Sequence, residues 1–292
     1  MEHKPKEQLL SLGCISEDRV EEYFPRVRDR ADIRVLRDTE TGVVFLDRSD
    51  HMDISHYEEI EGGAYWQASD RGSARSAYGE DDVRRAAQFA QHIEGKDYVD
   101  VGCGTGGILD LVKERAATVA GVEPQRAMRE ELQQAGYTMY RLPEDMPDAS
   151  FDVASLFHTL EHLTDPLGTL KEIKRALRPG GVLMVEVPHA RDALLTTFEL
   201  ESFKAFTFWS EHLVLHTRES LTAFLAAAGF SSIAVEGFQR YPLANHLYWL
   251  AHGKPGGQKH LSEFSSPALD AAYQERLAAM DRTDTLIAIA YA

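Results

Sequence analysis

The sequence is poor in cysteine, in basic residues relative to acidic ones, and in long apolar runs. Its 292 residues contain two cysteines, Cys14 and Cys103, and neither belongs to a CxxC pair. A disulfide framework or a cysteine-rich zinc site is excluded, and a reducing compartment is expected. Lys and Arg number 31 against 47 Asp and Glu, for a net charge of −16. A surface that negative repels phosphate backbones and acidic lipid headgroups, so neither a nucleic-acid partner nor a membrane partner is expected. The longest apolar stretch without charge, Leu221 to Val235, is broken by Gly229, Ser231 and Ser232 and falls short of a membrane span. The opening MEHKPKEQLL has no apolar signal region, and the expected location is cytoplasmic. No internal repeat is visible. What remains, 43% hydrophobic and 27% charged residues, is ordinary for a globular chain.

Residues 1–80 read as a polar N-terminal extension. Ile33–Leu36 and Val43–Leu46 bracket the turn Thr39-Glu40-Thr41-Gly42 and predict a hairpin. The aromatic, glycine-rich stretch Tyr57 to Tyr78 reads as a connector, or as a lid over a site. From about residue 82 strands alternate with helices. Strands are expected over Asp97–Val101, Thr118–Val122, Thr138–Arg141, Asp152–Phe157 and Val182–Val187, then near Ile233–Val235 and Leu247–Ala251. Helices are expected between them, including Leu167–Leu177, stopped by Arg178-Pro179-Gly180-Gly181, and Leu221–Ala228, capped by Gly229. The alternation implies an α/β fold with a mainly parallel sheet and ligands at the carboxyl ends of its strands. The tail, Pro267 to Ala292, reads as an amphipathic helix packed on the domain or on a partner, so oligomer formation could run through it. The expected division is 1–80, a core over 81–255, and a helical tail over 256–292.

Asp100-Val101-Gly102-Cys103-Gly104-Thr105-Gly106-Gly107 follows the first core strand and opens a helix. Glycines there let backbone approach a ligand closely, but the spacing also fits a dinucleotide loop. Asp100 separates the two, because a carboxylate at the strand's mouth repels a pyrophosphate and suits an ammonium or sulfonium. Glu123, 17 residues beyond Gly106, ends the second strand, where an acid accepts ribose hydroxyls.

VDVGCGTGG, VAGVEP, FDVASLFHTLEHLTDP and LRPGGVLMVEVP, in that order, resemble the class I S-adenosylmethionine-dependent methyltransferases over about residues 80–252. The resemblance implies a Rossmann-like seven-stranded sheet with its last strand antiparallel. It implies that Asp100, Gly102, Gly104 and Gly106 cradle the methionyl part of the donor and that Glu123 holds its ribose. Leu142 and Glu144, in the loop Leu142 to Asp145, fall on the adenine side, and Phe157 completes the expected cofactor contacts.

After the fourth strand comes His158-Thr159-Leu160-Glu161-His162. As HxxEH it matches an inverted zinc-hydrolase motif, which needs a helix interior that a strand end and Pro166 deny it. It could also merely fix its loop by hydrogen bonds. The segment is similar to the ExxEH of ubiquinone-pathway O-methyltransferases and small-RNA 2′-O-methyltransferases, where it carries a divalent metal. Here His158 replaces the first Glu, which disfavours Mg²⁺ and leaves a metal open. His158 and His162 are the expected base or metal ligands, with His212 of the aromatic stretch Phe206 to Leu213 as a substrate contact and His189 as a weaker candidate. Tyr241 to His246 reads as a turn before the last strand, ahead of the alternative of a final loop over the pocket.

The expected function is S-adenosylmethionine-dependent methylation of a small molecule, first a hydroxyl of a sugar, sugar nucleotide or natural product. A quinone-like phenol follows, then nitrogen or carbon acceptors. From other classes, a non-catalytic donor-binding module and a zinc hydrolase remain as alternatives.

Overall fold

A computed structural model describes residues 3–52 and 71–292, with 71–78 followed as backbone. The stretch expected as connector or lid lies mostly outside the described residues.

The main sheet has seven strands: β4 (Asp97–Val101), β5 (Thr118–Val122), β6 (Thr138–Tyr140), β7 (Phe151–Phe157), β8 (Leu177–Pro188), β10 (Ser231–Phe238) and β11 (Thr285–Tyr291). Their order is β10-β11-β8-β7-β4-β5-β6. β11 runs antiparallel to both neighbours, while β6, β5, β4, β7 and β8 are parallel. β7 and β8 read as continuous apolar runs because helices cover both faces of a parallel sheet. The one charge in the apolar half of β8 is Glu186, fully buried.

A second, antiparallel sheet joins β1 (Val20–Phe24), β2 (Val35–Asp38), β3 (Val44–Leu46) and β9 (Val214–Leu215). β2 and β3 are the expected hairpin. β9 comes from the segment between β8 and β10, so the N-terminal stretch shares a sheet with the middle of the chain. One apolar cluster runs from Leu9 and Ile33 through Val99 to Leu286.

Two expectations near the C-terminus are corrected. Leu247–Ala251, rich in aromatic and aliphatic residues, reads locally as a strand but lies inside a helix, Leu243–His252. Pro242 starts that helix, and Ala244, Asn245, Tyr248 and Trp249 bury one face at helical spacing. The turn expected over Tyr241 to His246 thus runs into the helix. The strand that completes the sheet is β11, inside the tail read as wholly helical. The tail's helix, Pro267–Ala279, stops before Asp281, whose φ of +56° is left-handed, and the chain then enters the sheet. The sheet therefore extends well past residue 255. Leu269 and Met280 of the tail stay exposed. Among the described residues no helix is long and apolar enough to cross a membrane.

Candidate active site

The glycine loop sits where β4 ends. Gly102, Gly104 and Gly106 all take left-handed φ, +77°, +51° and +75°. At Gly102 a Cβ would also collide with the Thr159 side chain, so only glycine fits there. Gly106 is the N-cap of α3 (Gly107–Val112). Glu123, at the end of β5, accepts hydrogen bonds from the backbone N–H of Gly104 and of Gln125, each at 2.8 Å. Asp100 accepts one from Ser155 Oγ at 2.5 Å, and Tyr98 OH lies 2.5 Å behind that hydroxyl. Both acids are over nine-tenths buried. Burial pushes the Asp100 carboxyl up to about 7, against the pull of Ser155, and Glu123 likewise up to about 7 against its two N–H donors. A cationic ligand with hydroxyls would bring both back to their charged form, and these residues therefore fit a sulfonium nucleoside better than a diphosphate.

Two cavities meet at this edge of the sheet. The first, about 610 Å³, is lined by Gly102, Glu123, Leu142 and Glu144. The second, about 800 Å³, is lined by Asp100, Gly102, Phe157, His212 and the aromatic rings of Phe203, Trp209 and Trp249. Gly102, His158 and His162 belong to both walls. Gly104 and Gly106 line neither and act by shaping the loop. Phe157 stacks on Phe89 with ring centroids 5.4 Å apart.

His158 is held from both sides. Its Nδ1 lies 3.1 Å from Glu161 Oε1 and its Nε2 lies 3.1 Å from Glu186 Oε1. Its φ of +50° is left-handed, a conformation that a side chain without such anchors rarely keeps. Glu186 is also clamped by Arg84 and Arg85, at 2.8 Å each, from α2 (Arg71–Gln88). Arg240 ties to Asp81 of the same helix and lies 3.1 Å from His158 Nε2. Burial and Arg240 push the His158 ring down, but the two carboxylates outweigh them and raise it. With both ring nitrogens engaged, His158 is thus an anchor rather than a free base.

His162 and His212 form a different group. Their rings meet edge to face at 4.9 Å, with Trp209 beside both. The segment carrying His212 is fixed by Leu213 N–H donating to Glu161 O at 2.7 Å and by Asp29 accepting from Ser210 Oγ at 2.5 Å. Ligand atoms of Glu161, His162 and His212 lie within 4.8 Å of one another. Glu161 Oε2, His162 Nδ1 and His212 Nδ1 are buried without a hydrogen-bond partner among the described residues. A clustered carboxylate and two imidazoles, each with an unpartnered polar atom, fit a divalent metal. Burial pushes His162 down and His212 down to about 3, so both are neutral. His189 is apart from this group, bonded to Thr283 O.

The profile of a family described as a methyltransferase domain matches residues 73–235. The chain belongs to that family. A probable S-adenosylmethionine-dependent methyltransferase of Mycolicibacterium smegmatis is 32% identical over 49% of this chain and 55% of its own length. The chain thus spans about half the length of that relative. A ubiquinone biosynthesis O-methyltransferase of Pseudomonas fluorescens is 33% identical over 31% of this chain and 43% of its own. Among solved structures, a SAM-dependent methyltransferase from Archaeoglobus fulgidus superposes with a TM-score of 0.53 at 18% identity, covering 79% of this chain and 97% of that one. That likeness concerns the fold. In this methyltransferase-domain protein the sheet order, the glycine loop and the two acids occur together.

The sequence did not single out Glu186, Arg84, Arg85 and Arg240, which hold His158. Glu186 had a signal, a lone acid in the most apolar strand. The arginines had none, because their role arises only when α2 packs on the sheet.

Proposed function

We propose that this chain transfers the methyl group of S-adenosylmethionine to a hydroxyl of a small molecule, a sugar, sugar nucleotide or natural product. The observation that carries the reading is the placement of His162 in the wall common to both cavities, between the Glu123 cleft and the aromatic chamber. The donor supplies an already activated methyl, so the protein need only hold the two reactants in line and take one proton. Asp100 and the glycine loop take the methionyl part, Glu123 the ribose, and Leu142 and Glu144 the adenine side, with Phe157 at the junction. His162, neutral and lining both cavities, receives the hydroxyl proton. His212 and Trp209 shape the acceptor wall, and His158 is a positioning residue that holds Glu161. The O-methyltransferase name of the Pseudomonas relative supports oxygen as the acceptor atom. The charge of −16 argues against a nucleic-acid acceptor.

The three orphaned atoms favour a second reading, in which Glu161, His162 and His212 hold a divalent cation that lowers the pKa of the acceptor hydroxyl. Two imidazoles and one carboxylate suit manganese, iron or zinc better than magnesium.

A panel of hydroxylated metabolites incubated with radiolabelled donor, with and without chelator, tests both. Label entering a hydroxyl compound supports the proposal, and its absence across the panel opposes it. On the metal reading, manganese or zinc raises the melting temperature of the wild type and leaves His212→Ala unmoved. A chelator-insensitive reaction leaves His162 as the proton acceptor.

A further inference from the structure

The wall of the aromatic chamber also carries two acids, Asp192 and Asp284. Asp192, in the segment that follows β8, is 4% exposed and lines the chamber. One carboxylate oxygen, Oδ1, accepts from Leu194 N–H at 2.7 Å, while Oδ2 has no partner among the described residues. Asp284, the residue before β11, lines the same chamber, but its oxygens are engaged by Gln239 Nε2 and the backbone N–H groups of Arg240 and Tyr241. His246, on the helix Leu243–His252, lies 2.7 Å from Tyr273 OH, and Trp249 follows it by three residues on the same buried face. Trp249 packs edge to face on Phe203 at 5.1 Å.

We propose that this end of the chamber takes a protonated amine of the acceptor, with Asp192 as its counter-ion and the rings of Phe203 and Trp249 beside it. The inference rests on the reading of the chamber as the acceptor site. A buried carboxylate with one oxygen to spare and a second acid beside it lacks a positive partner, and aromatic faces favour an ammonium. The neighbouring charges support this. Burial and Asp284 push Asp192 up to about 8, opposed only by the Leu194 N–H. His246 is pushed down to about 4 by burial and brings no cation. The guanidinium of Arg240 is turned to Asp81 and His158, and of the two acids it pulls on Asp284, not on Asp192. The acceptor is then an amino alcohol in the wide sense: a hydroxyl that meets the methyl near His162, and an amine received by Asp192 in the same chamber.

Matched probes that differ only in the amine test this: tyramine against para-ethylphenol, and glucosamine against glucose. Each is assayed for label transfer, and for thermal shift in the presence of S-adenosylhomocysteine. The amine-bearing member of at least one pair should have a KM lower by about tenfold. Asp192→Asn, which keeps the N-cap, should erase that preference while retaining the thermal shift given by S-adenosylhomocysteine alone. Asp192→Ser serves as a second capping variant should the first fail to fold. Equal use of both members of each pair, or a preference that survives in both variants, overturns the amine site and leaves methyl transfer standing. No shift with S-adenosylhomocysteine and no transfer to any probe overturns the transfer reading itself, and this inference with it.

Discussion

Two carboxyls pushed up to about 7 by burial make the proposed donor cleft sensitive to pH near neutrality. Their folded values lie above their unfolded ones, so the stability they contribute is complete below about pH 4 and is lost as pH rises through about 7. The melting temperature of the ligand-free protein should therefore fall across that window from this source. A cation bound at Asp100 restores its charged form, so affinity for S-adenosylhomocysteine should rise as pH passes upward through about 7. Calorimetry on the wild type and Asp100→Asn checks this: the variant should bind more weakly and lose the pH dependence, and a flat wild-type profile would contradict the assignment. Gly102→Ala tests the loop. Left-handed φ costs about 1–2 kcal/mol for a residue with a Cβ, and Thr159 must move as well. A melting point several degrees lower and weakened donor binding are expected from differential scanning fluorimetry. The placement of Asp100, the glycines and Glu123 at the ends of adjacent strands was legible in the sequence because a glycine loop and an acid each follow an apolar run. Asp192 and Trp249 were not, since they converge only when β8, β11 and a later helix pack together.

Among the elements, α2, β7 and β8 are joined by one charged cluster. Arg84 and Arg85 reach from the helix to Glu186 in β8, and Glu186 holds His158 after β7. Breaking a buried pair by removing one partner costs about 3–5 kcal/mol. Glu186→Gln should lose stability of that order in denaturant titrations. It should also lower turnover more than donor affinity, because His158 then no longer fixes Glu161. A substitution at Glu186 with unchanged midpoint and turnover would show the cluster to be incidental. The strand β11 makes a complementary case. It lies between β8 and β10 with Leu286, Ala288 and Ala290 fully buried. Deleting Thr285–Tyr291 should leave two open sheet edges and an aggregating protein, read by size-exclusion chromatography. The first five core strands were visible from their apolar runs and the turns around them. The sixth was seen short of its full length. The last was hidden because TLIAIAY, directly after a helix, has no alternation to separate strand from helix.

Across the whole molecule the two cavities, which we read as donor cleft and acceptor chamber, share a wall, and the N-terminal stretch braces the segment that brings His212 to it. Arg28 N–H donates to Phe208 O at 2.8 Å, and His51 Nε2 lies 2.7 Å from Ser210 O. The measurement that bears most directly on this arrangement is transfer of a labelled methyl group by the wild type and by His162→Ala, run beside S-adenosylhomocysteine binding on the same two proteins. The expected result is a loss of turnover of about a hundredfold or more in the variant with product affinity kept within about twofold. Full turnover in His162→Ala, with acceptor and donor still bound, would contradict it.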